Sequence, residues 1–281
     1  MAFPDNFDLQ EFVQRVLDED LGKGGDVTSI ATIDEGARFT AQMNARQALV
    51  VAGIGIASAF FRRLDPDVEI ELLTEDGERV TRHTTLMRLR GNARAMLTAE
   101  RSALNTLQHL SGIATLTRQY VDAIEGTGAI LLDTRKTLPG LRILEKFAAR
   151  MGGAQSHRMR LDDGVLIKDN HVAVCGGVFE AVQRPKSAAT GLQIQVEVDR
   201  LDQIEPALSA GADRLLLDNM DPAMLREAVR IVNRRAPLEA SGGVTLETIR
   251  FLAETGVDFI SVGRITQSAP AVDIGLDYSI D

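Results

Sequence analysis

From about residue 113 onward, short apolar runs alternate with stretches of helical periodicity, and this alternation restricts the fold more than any other feature of the chain. The candidate strands fall at 129–133, 165–168, 193–198, 214–218, 238–241 and 259–263, with helical patterns between them at 140–150, about 177–184, 201–210, 222–235 and 245–255, and Ile130-Leu131-Leu132 and Val165-Leu166-Ile167 are unbroken apolar runs. Unbroken apolar runs of this length suit strands buried on both faces. Strands alternating with helices make βα units and a parallel sheet, and right-handed crossovers can wrap such a sheet into a barrel. Six strands fall short of the eight that close a regular barrel, so an incomplete (β/α) barrel is expected over 113–265. Gly191, Gly211 and Gly256 stand where its helices should stop.

The residues before 113 follow a different pattern, which predicts a separate N-terminal α/β sandwich-like domain over 1–112. Leu9, Phe12, Val13, Val16 and Leu17 mark one helix face, with Asp8 and Glu11 spaced as a capping box. Gly22–Gly25 ends that helix, and Asp26-Val27-Thr28-Ser29 reads as an Asx or Ser bend. Phe39, Ala41 and Met43 alternate as in a strand, as do Val68, Ile70 and Leu72, with a turn at Thr74–Glu78. Ala48 to Phe61 is the longest apolar run, too short to span a bilayer, and is expected in the core. A helix is predicted over 93–111 from the stripe Met96, Leu97, Ala103, Leu104, Leu107 and Leu110, with Glu100 projecting into the stripe and Arg101 onto its edge. Residues 266–281 do not continue the βα pattern and are expected to return to the first domain.

The chain carries 31 basic and 40 acidic residues, a net charge of −9, which argues against a nucleic-acid partner. A single cysteine, Cys175, excludes a disulfide framework and suits a reducing cytoplasm. The first residues lack the basic, apolar and small-residue order of a signal peptide, and no membrane partner is expected. Against this acidic background, residues 133–171 hold eight Lys or Arg and five acids, a net +3. A like-signed cluster repels itself unless an anion neutralises it. Arg142, Lys146 and Arg150 read as a solvated helix face, whereas Arg135, Lys136 and Lys168 each follow a buried apolar run.

In α/β barrels the working residues sit at the C-terminal ends of the strands. Those ends here carry Arg135 and Lys136, Lys168 and Asp169, Glu197, Asp218 and Asn219, Ser241-Gly242-Gly243, and Val262-Gly263. The two glycine loops offer backbone N–H groups to phosphate. Glu197 and Asp218 are carboxylates at an otherwise basic mouth, suited to ribose hydroxyls or Mg²⁺. Arg135, Arg158 and Arg101 suit bidentate carboxylate binding, and Lys136 and Lys168 act as point charges. Residue types alone therefore imply a sugar phosphate together with an anionic partner. A Gly53-x-Gly55 pair lacks the remainder of a dinucleotide loop. His157 and His171 lack a Cys or third His for zinc, and no Gly-x-Ser-x-Gly elbow of a hydrolase occurs.

The run Asp133-Thr134-Arg135-Lys136-Thr137-Leu138-Pro139-Gly140, the segment Gly152-Gly153…His157-Arg158 and the strand end Ile167-Lys168-Asp169-Asn170-His171 together resemble the quinolinate phosphoribosyltransferase family. Glu100-Arg101 and Gly25-Asp26-Val27-Thr28-Ser29 extend the resemblance, which covers the chain from Asp26 to about Ser268. It implies a pentosyltransferase of NAD biosynthesis that converts quinolinate and phosphoribosyl pyrophosphate to nicotinate mononucleotide, pyrophosphate and carbon dioxide. On that pattern Arg135, His157, Arg158 and Lys168 hold quinolinate, together with Arg101 reaching in from a neighbouring subunit. Lys136, Glu197, Asp218 and Ser241-Gly242-Gly243 hold the phosphoribosyl group. Lys136, Lys168, Glu197 and Asp218 form the catalytic set. Glu197 and Asp218 are the Mg²⁺ ligands, directly or mainly through substrate. Thr134, Val262, Gly263 and Arg264 complete the substrate-binding set. The resemblance also implies a homodimer at least, or a homohexamer built as a trimer of dimers. Arg160 and Arg264 stand where the family more often has small residues, adding positive charge near the mouth. A paralogue acting on another base is disfavoured by the intact Ile167–His171 run, and a purely anion-binding regulator by the retention of Glu197 and Asp218.

Overall fold

The computed structural model describes residues 7–189 and 191–279. Its first helices are α1 (Leu9–Leu21) and α2 (Val27–Thr32). Asp8 caps α1 by accepting the backbone N–H of Glu11 at 2.9 Å. Asp26 caps α2 in the same way, accepting both the N–H and the hydroxyl of Ser29 at 3.0 and 2.6 Å. The Asp26–Ser29 segment is thus the start of a helix as well as a bend. There follow β1 (Arg38–Ala45), β2 (Leu49–Val50), α3 (Ile54–Leu64), β3 (Glu69–Leu72), β4 (Arg79–Val80) and β5 (Thr85–Asn92).

The next helix, α4, spans Ala93–Ala123 and so runs well past the 111 that the apolar stripe suggested. Leu110, Ile113, Ala114, Thr117 and Tyr120 are all buried and continue the three-and-four spacing. Gly112 does not stop the helix; a Cβ there would lie 2.2 Å from the Pro270 carbonyl oxygen, so its smallness admits a crossing backbone.

Beyond α4 come β6 (Ile130–Leu132), α5 (Arg142–Met151), β7 (Val165–Ile167), α6 (Asp169–Cys175), α7 (Val178–Ser187), β8 (Ile194–Val198), α8 (Ile204–Ser209), β9 (Arg214–Asp218), α9 (Pro222–Val232), β10 (Leu238–Ser241), α10 (Ile249–Ala253), β11 (Phe259–Ser261), α11 (Arg264–Gln267) and β12 (Ile274–Ser279). The chain forms two compact units. One comprises the residues up to Leu116, Ile143–Gly153 and those from Ser268 on; the other comprises Thr117–Arg142 and Ala154–Gln267.

The first unit is built on an antiparallel sheet in the order β12-β1-β5-β3. Phe39, Ala41, Met43 and Ala45 turn one face of β1 inward. Phe12 of α1 meets Phe60 of α3 edge-on at 6.2 Å between ring centres. Most of the apolar run 48–61 is buried, as expected, with Ala48 exposed at its start. The alternating apolar positions of β3 are not: Leu72 is 44% exposed, because β3 is an edge strand hydrogen-bonded only to β5. Lys146 departs most from its expected place on a solvated helix face. It is fully buried, and so are its neighbours on α5 from Leu144 to Ala149.

The second unit holds the six parallel strands in the order β6-β11-β10-β9-β8-β7, an α/β incomplete barrel whose edge strands are β6 and β7. Ala154–His157 lies alongside β6 through a parallel bridge between Leu132 and Gln155. Two short helices escaped the sequence pattern: α6 directly after β7, and α11 after β11.

Candidate active site

Alternation along each barrel strand turns every second side chain to the interior. Leu166 and Lys168, Leu216 and Asp218, Glu239 and Ser241, and Ser261 and Gly263 are such pairs, and all line one cavity of about 780 Å³. Thr134, Arg135, Lys136, His157, Arg158, Glu197, Gly242, Gly243, Val262 and Arg264 line it as well. Every residue that the sequence placed at the mouth through a barrel strand end is therefore in one cavity except Asp169, which is exposed as the first residue of α6. Arg101 is not among its lining; it sits on α4 in the other unit, 69% exposed, with Glu100 at 3.8 Å. Arg160 is also absent from the lining and pairs with Asp162 at 3.0 Å, so of the two added arginines only Arg264 reaches the cavity.

The half of the cavity beside β6 is shaped by backbone pairing. The Asp133 N–H donates to the Gln155 carbonyl and the Gln155 N–H to the Leu131 carbonyl, at 3.1 and 2.9 Å. Buried Asp133 then accepts the His157 N–H at 2.8 Å. These bonds pin the His157-Arg158 turn beside the Arg135-Lys136 strand end, although more than twenty residues separate them in sequence. Arg158 donates to the Gly164 carbonyl at 3.0 Å. Its guanidinium is pushed below its ordinary range by burial and by the positive charge of Arg135, which Asp163 only partly offsets. The Arg135 Nε is buried, and among the described residues it meets no hydrogen-bond acceptor. Two neighbouring half-buried cations, one with a donor that meets no acceptor among the described residues, suit a planar anion.

The phosphoribosyl-like half lies across β7–β11. Lys168 donates to Glu197 at 3.2 Å. Burial pushes the Asp218 carboxyl up, while the hydrogen bond from Asn219 and the charges of Lys168 and Lys136 pull it down without cancelling the rise. Lys136 passes over Gly263, where a Cβ would come within 2.6 Å of the lysine Cδ. The Thr266 hydroxyl donates to the Lys136 carbonyl at 2.8 Å and holds that backbone in place. Gly242 and Gly243 both have positive φ, 96° and 59°, which opens the loop after β10 in a way a β-carbon would resist. Among the described residues no group of three or more His, Cys, Asp or Glu could hold a metal. Glu197 and Asp218 thus make a two-carboxylate set, which fits an ion that completes its shell with substrate phosphates and water.

Glu239 was missed by the sequence reading. It is fully buried on β10, accepts Gln195 at 2.7 Å, and has Arg214 at 3.0 Å and His157 at 3.5 Å. Burial alone would raise its carboxyl, but the hydrogen bond and charge of His157, then Arg214 and Ser261, outweigh it and hold it below the ordinary value. Arg214 lies 3.7 Å above the centre of the Phe259 ring. The available signal was an acid inside an otherwise apolar strand, Leu238-Glu239-Ala240, which must have a partner if buried. His171 accepts the Lys168 backbone N–H at 2.9 Å through Nδ1, so this ring nitrogen serves the start of α6.

The family models for the N-terminal and C-terminal domains of quinolinate phosphoribosyl transferase match residues 26–111 and 113–277. The chain belongs to this family. It is 43% identical over 273 residues to the nicotinate-nucleotide pyrophosphorylase [carboxylating] of Mycobacterium leprae, covering 95% of this chain and 96% of that one. It is 40% identical over 272 residues to the probable enzyme of the same name from Synechocystis sp., covering 95% and 92%. The crystal structure of nicotinate-nucleotide pyrophosphorylase from Ehrlichia chaffeensis superposes with a TM-score of 0.94 at 41% identity, covering 98% of this chain and all of that one. The quinolinate phosphoribosyl transferase fold is thus the frame in which the cavity sits.

Proposed function

We infer that this chain is a carboxylating nicotinate-nucleotide pyrophosphorylase: it transfers the phosphoribosyl group of phosphoribosyl pyrophosphate to quinolinate, with loss of pyrophosphate and carbon dioxide, to give nicotinate mononucleotide for NAD biosynthesis. The observation that carries the reading is the half-buried arginine pair Arg135 and Arg158, set beside Glu197, Asp218 and two glycine loops within one cavity. Arg135, Arg158, His157 and Lys168 hold the two carboxylates of quinolinate, with Arg101 of a second protomer completing the clasp in a homodimer or a trimer of such dimers. Lys136, Ser241, Gly242, Gly243, Val262, Gly263 and Arg264 receive the phosphates, Thr134 supports the Arg135-Lys136 turn, and Glu197 and Asp218 face the ribose hydroxyls. Thr134 does this by accepting the Lys136 N–H at 3.0 Å.

Glu197 and Asp218 would also hold Mg²⁺ together with the substrate. That ion supplies charge neutralisation on the departing pyrophosphate. As the bond from ribose C1 to pyrophosphate breaks, the two carboxylates stabilise positive charge developing on the sugar. Lys136 and Lys168 stabilise the leaving oxygens, and the pyridine nitrogen bonds to C1. The quaternised ring then accepts the electron pair of its adjacent carbon–carboxylate bond, carbon dioxide leaves, and a solvent proton replaces it. Among the described residues no helix is long and apolar enough to cross a membrane, and a cytoplasmic location suits the single cysteine.

The test is an assay of purified protein with phosphoribosyl pyrophosphate, Mg²⁺ and either quinolinate or nicotinate. Nicotinate mononucleotide and carbon dioxide are expected from quinolinate alone, and EDTA is expected to abolish both products. Turnover of nicotinate in place of quinolinate would overturn the carboxylate-clasp assignment.

A further inference from the structure

We propose that Asn219 is a positioning residue that aims the Asp218 carboxylate and locks it to the glycine loop after β10, so that the phosphoribosyl half of the site is built as a single piece. Asn219 follows β9 in the left-handed region, at φ 54°. Glycine would adopt this conformation at no steric cost, so an exposed asparagine here calls for an explanation through its side chain. Its amide Nδ2 donates to Asp218 Oδ2 at 2.6 Å. A carboxylate only accepts, so the NH₂ end must face Asp218 and the Oδ1 end must face away. That Oδ1 end lies against Gly242, where a β-carbon would sit 2.1 Å from it. The Asn219 backbone N–H donates to the Ser241 carbonyl at 2.8 Å. One residue therefore grips Asp218 with its amide, the Ser241 backbone with its N–H, and fills the space left by the missing Gly242 side chain. With Oδ2 committed to Asn219, Asp218 has Oδ1 for the sugar.

The inference rests on the assignment of Asp218 to the phosphoribosyl group, and the experiment separates the two. Asn219→Asp and Asn219→Gly both suit the left-handed backbone, so neither is expected to lower the melting temperature by more than a degree or two. Asn219→Asp keeps the shape but replaces the donor by a second acceptor; Asn219→Gly removes the grip altogether. Each is expected to raise the KM for phosphoribosyl pyrophosphate about tenfold, the scale of one charge-assisted hydrogen bond, while the KM for quinolinate stays within about twofold. A merely structural defect would not divide the two substrates in this way. Gly242→Ala, which displaces the Asn219 amide, is expected to give the same split. Asp218→Asn is measured in parallel. If it raises the KM for phosphoribosyl pyrophosphate while both Asn219 variants match the parent, the positioning role is overturned and the site reading stands. If Asp218→Asn also matches the parent, both are overturned.

Discussion

At the scale of single residues, one cation of the cavity is paired with a protein carboxylate while two others stand beside one another. Lys168 has Glu197 as a protein partner, whereas the Arg135 Nε has no acceptor and Arg158 is destabilised by its neighbour. Truncating an arginine of the clasp relieves that repulsion in the free enzyme but removes a charge-assisted contact in the complex. Arg135→Ala is therefore expected to raise the KM for quinolinate ten- to about a hundredfold in steady-state kinetics, with the melting temperature unchanged or slightly higher. Glu239 behaves in the opposite sense, because its partners are protein groups. Glu239→Ala removes the carboxylate 3.0 Å from Arg214 and leaves it the charge of Asp258, and a loss of about 3 kcal/mol is expected in denaturant unfolding. The pH dependence has a definite sign. The folded-state carboxyl lies below its ordinary value of 4.5, so the ion stabilises the fold above that pH, and the contribution is lost as pH falls through the lower folded value. Glu239→Gln lacks this contribution, so its melting temperature should fall less steeply than the parent's between about pH 4.5 and 3.

At the scale of elements, β6 and β7 were legible because burial on both faces writes an unbroken apolar run, and all six barrel strands lie where the alternation of strand and helix patterns placed them. Helix ends and short helices were less legible. The pattern change near 113 concealed the fact that α4 continues to Ala123, since Gly112 is required by a close backbone approach and not by a helix stop. Helix α6 begins at Asp169 inside the Ile167–His171 motif, where polar residues chosen for the strand end mask helical periodicity. Lys146 was misplaced because a lysine on an amphipathic pattern normally marks solvent, and only the fold shows that α5 is enclosed on the face it occupies. The polar layer of Gln195, Glu239 and Arg214 was invisible because no single strand reveals which acid will meet which base. The cap of α1 was readable from Asp8, whereas that of α2 was read as a bend, and the latter carries a prediction at this scale. Asp26 caps α2 and also accepts the Thr98 hydroxyl of α4 at 2.9 Å. Its carboxyl is lowered chiefly by the Ser29 hydroxyl and backbone N–H. Asp26→Ala is expected to cost about 1 kcal/mol, seen as a small fall in melting temperature, whereas Asp26→Asn should retain most of the cap.

At the scale of the whole molecule, Arg101 is the expected site residue that the cavity of a single chain does not include. It is exposed on α4, lies outside the cavity lining, and has only the weak Glu100 contact at 3.8 Å. A site completed by a second protomer would leave no periodicity or spacing to read within one chain, so the assignment of Arg101 rests on the family resemblance. The arrangement in trans has a consequence that no arrangement in cis shares. In a two-fold dimer each site would use Lys136 of its own protomer and Arg101 of the other. Arg101→Ala and Lys136→Ala proteins should each be nearly inactive alone. When the two are mixed and allowed to exchange subunits, half of the dimers are hybrids, and each hybrid holds one site with both residues intact. Activity should then return to about a quarter of the parental value per site, the statistical share of intact sites, and should do so with the kinetics of subunit exchange followed by native mass spectrometry. If Arg101 served its own protomer, one site of each hybrid would lack the arginine and the other the lysine, and mixing would restore nothing.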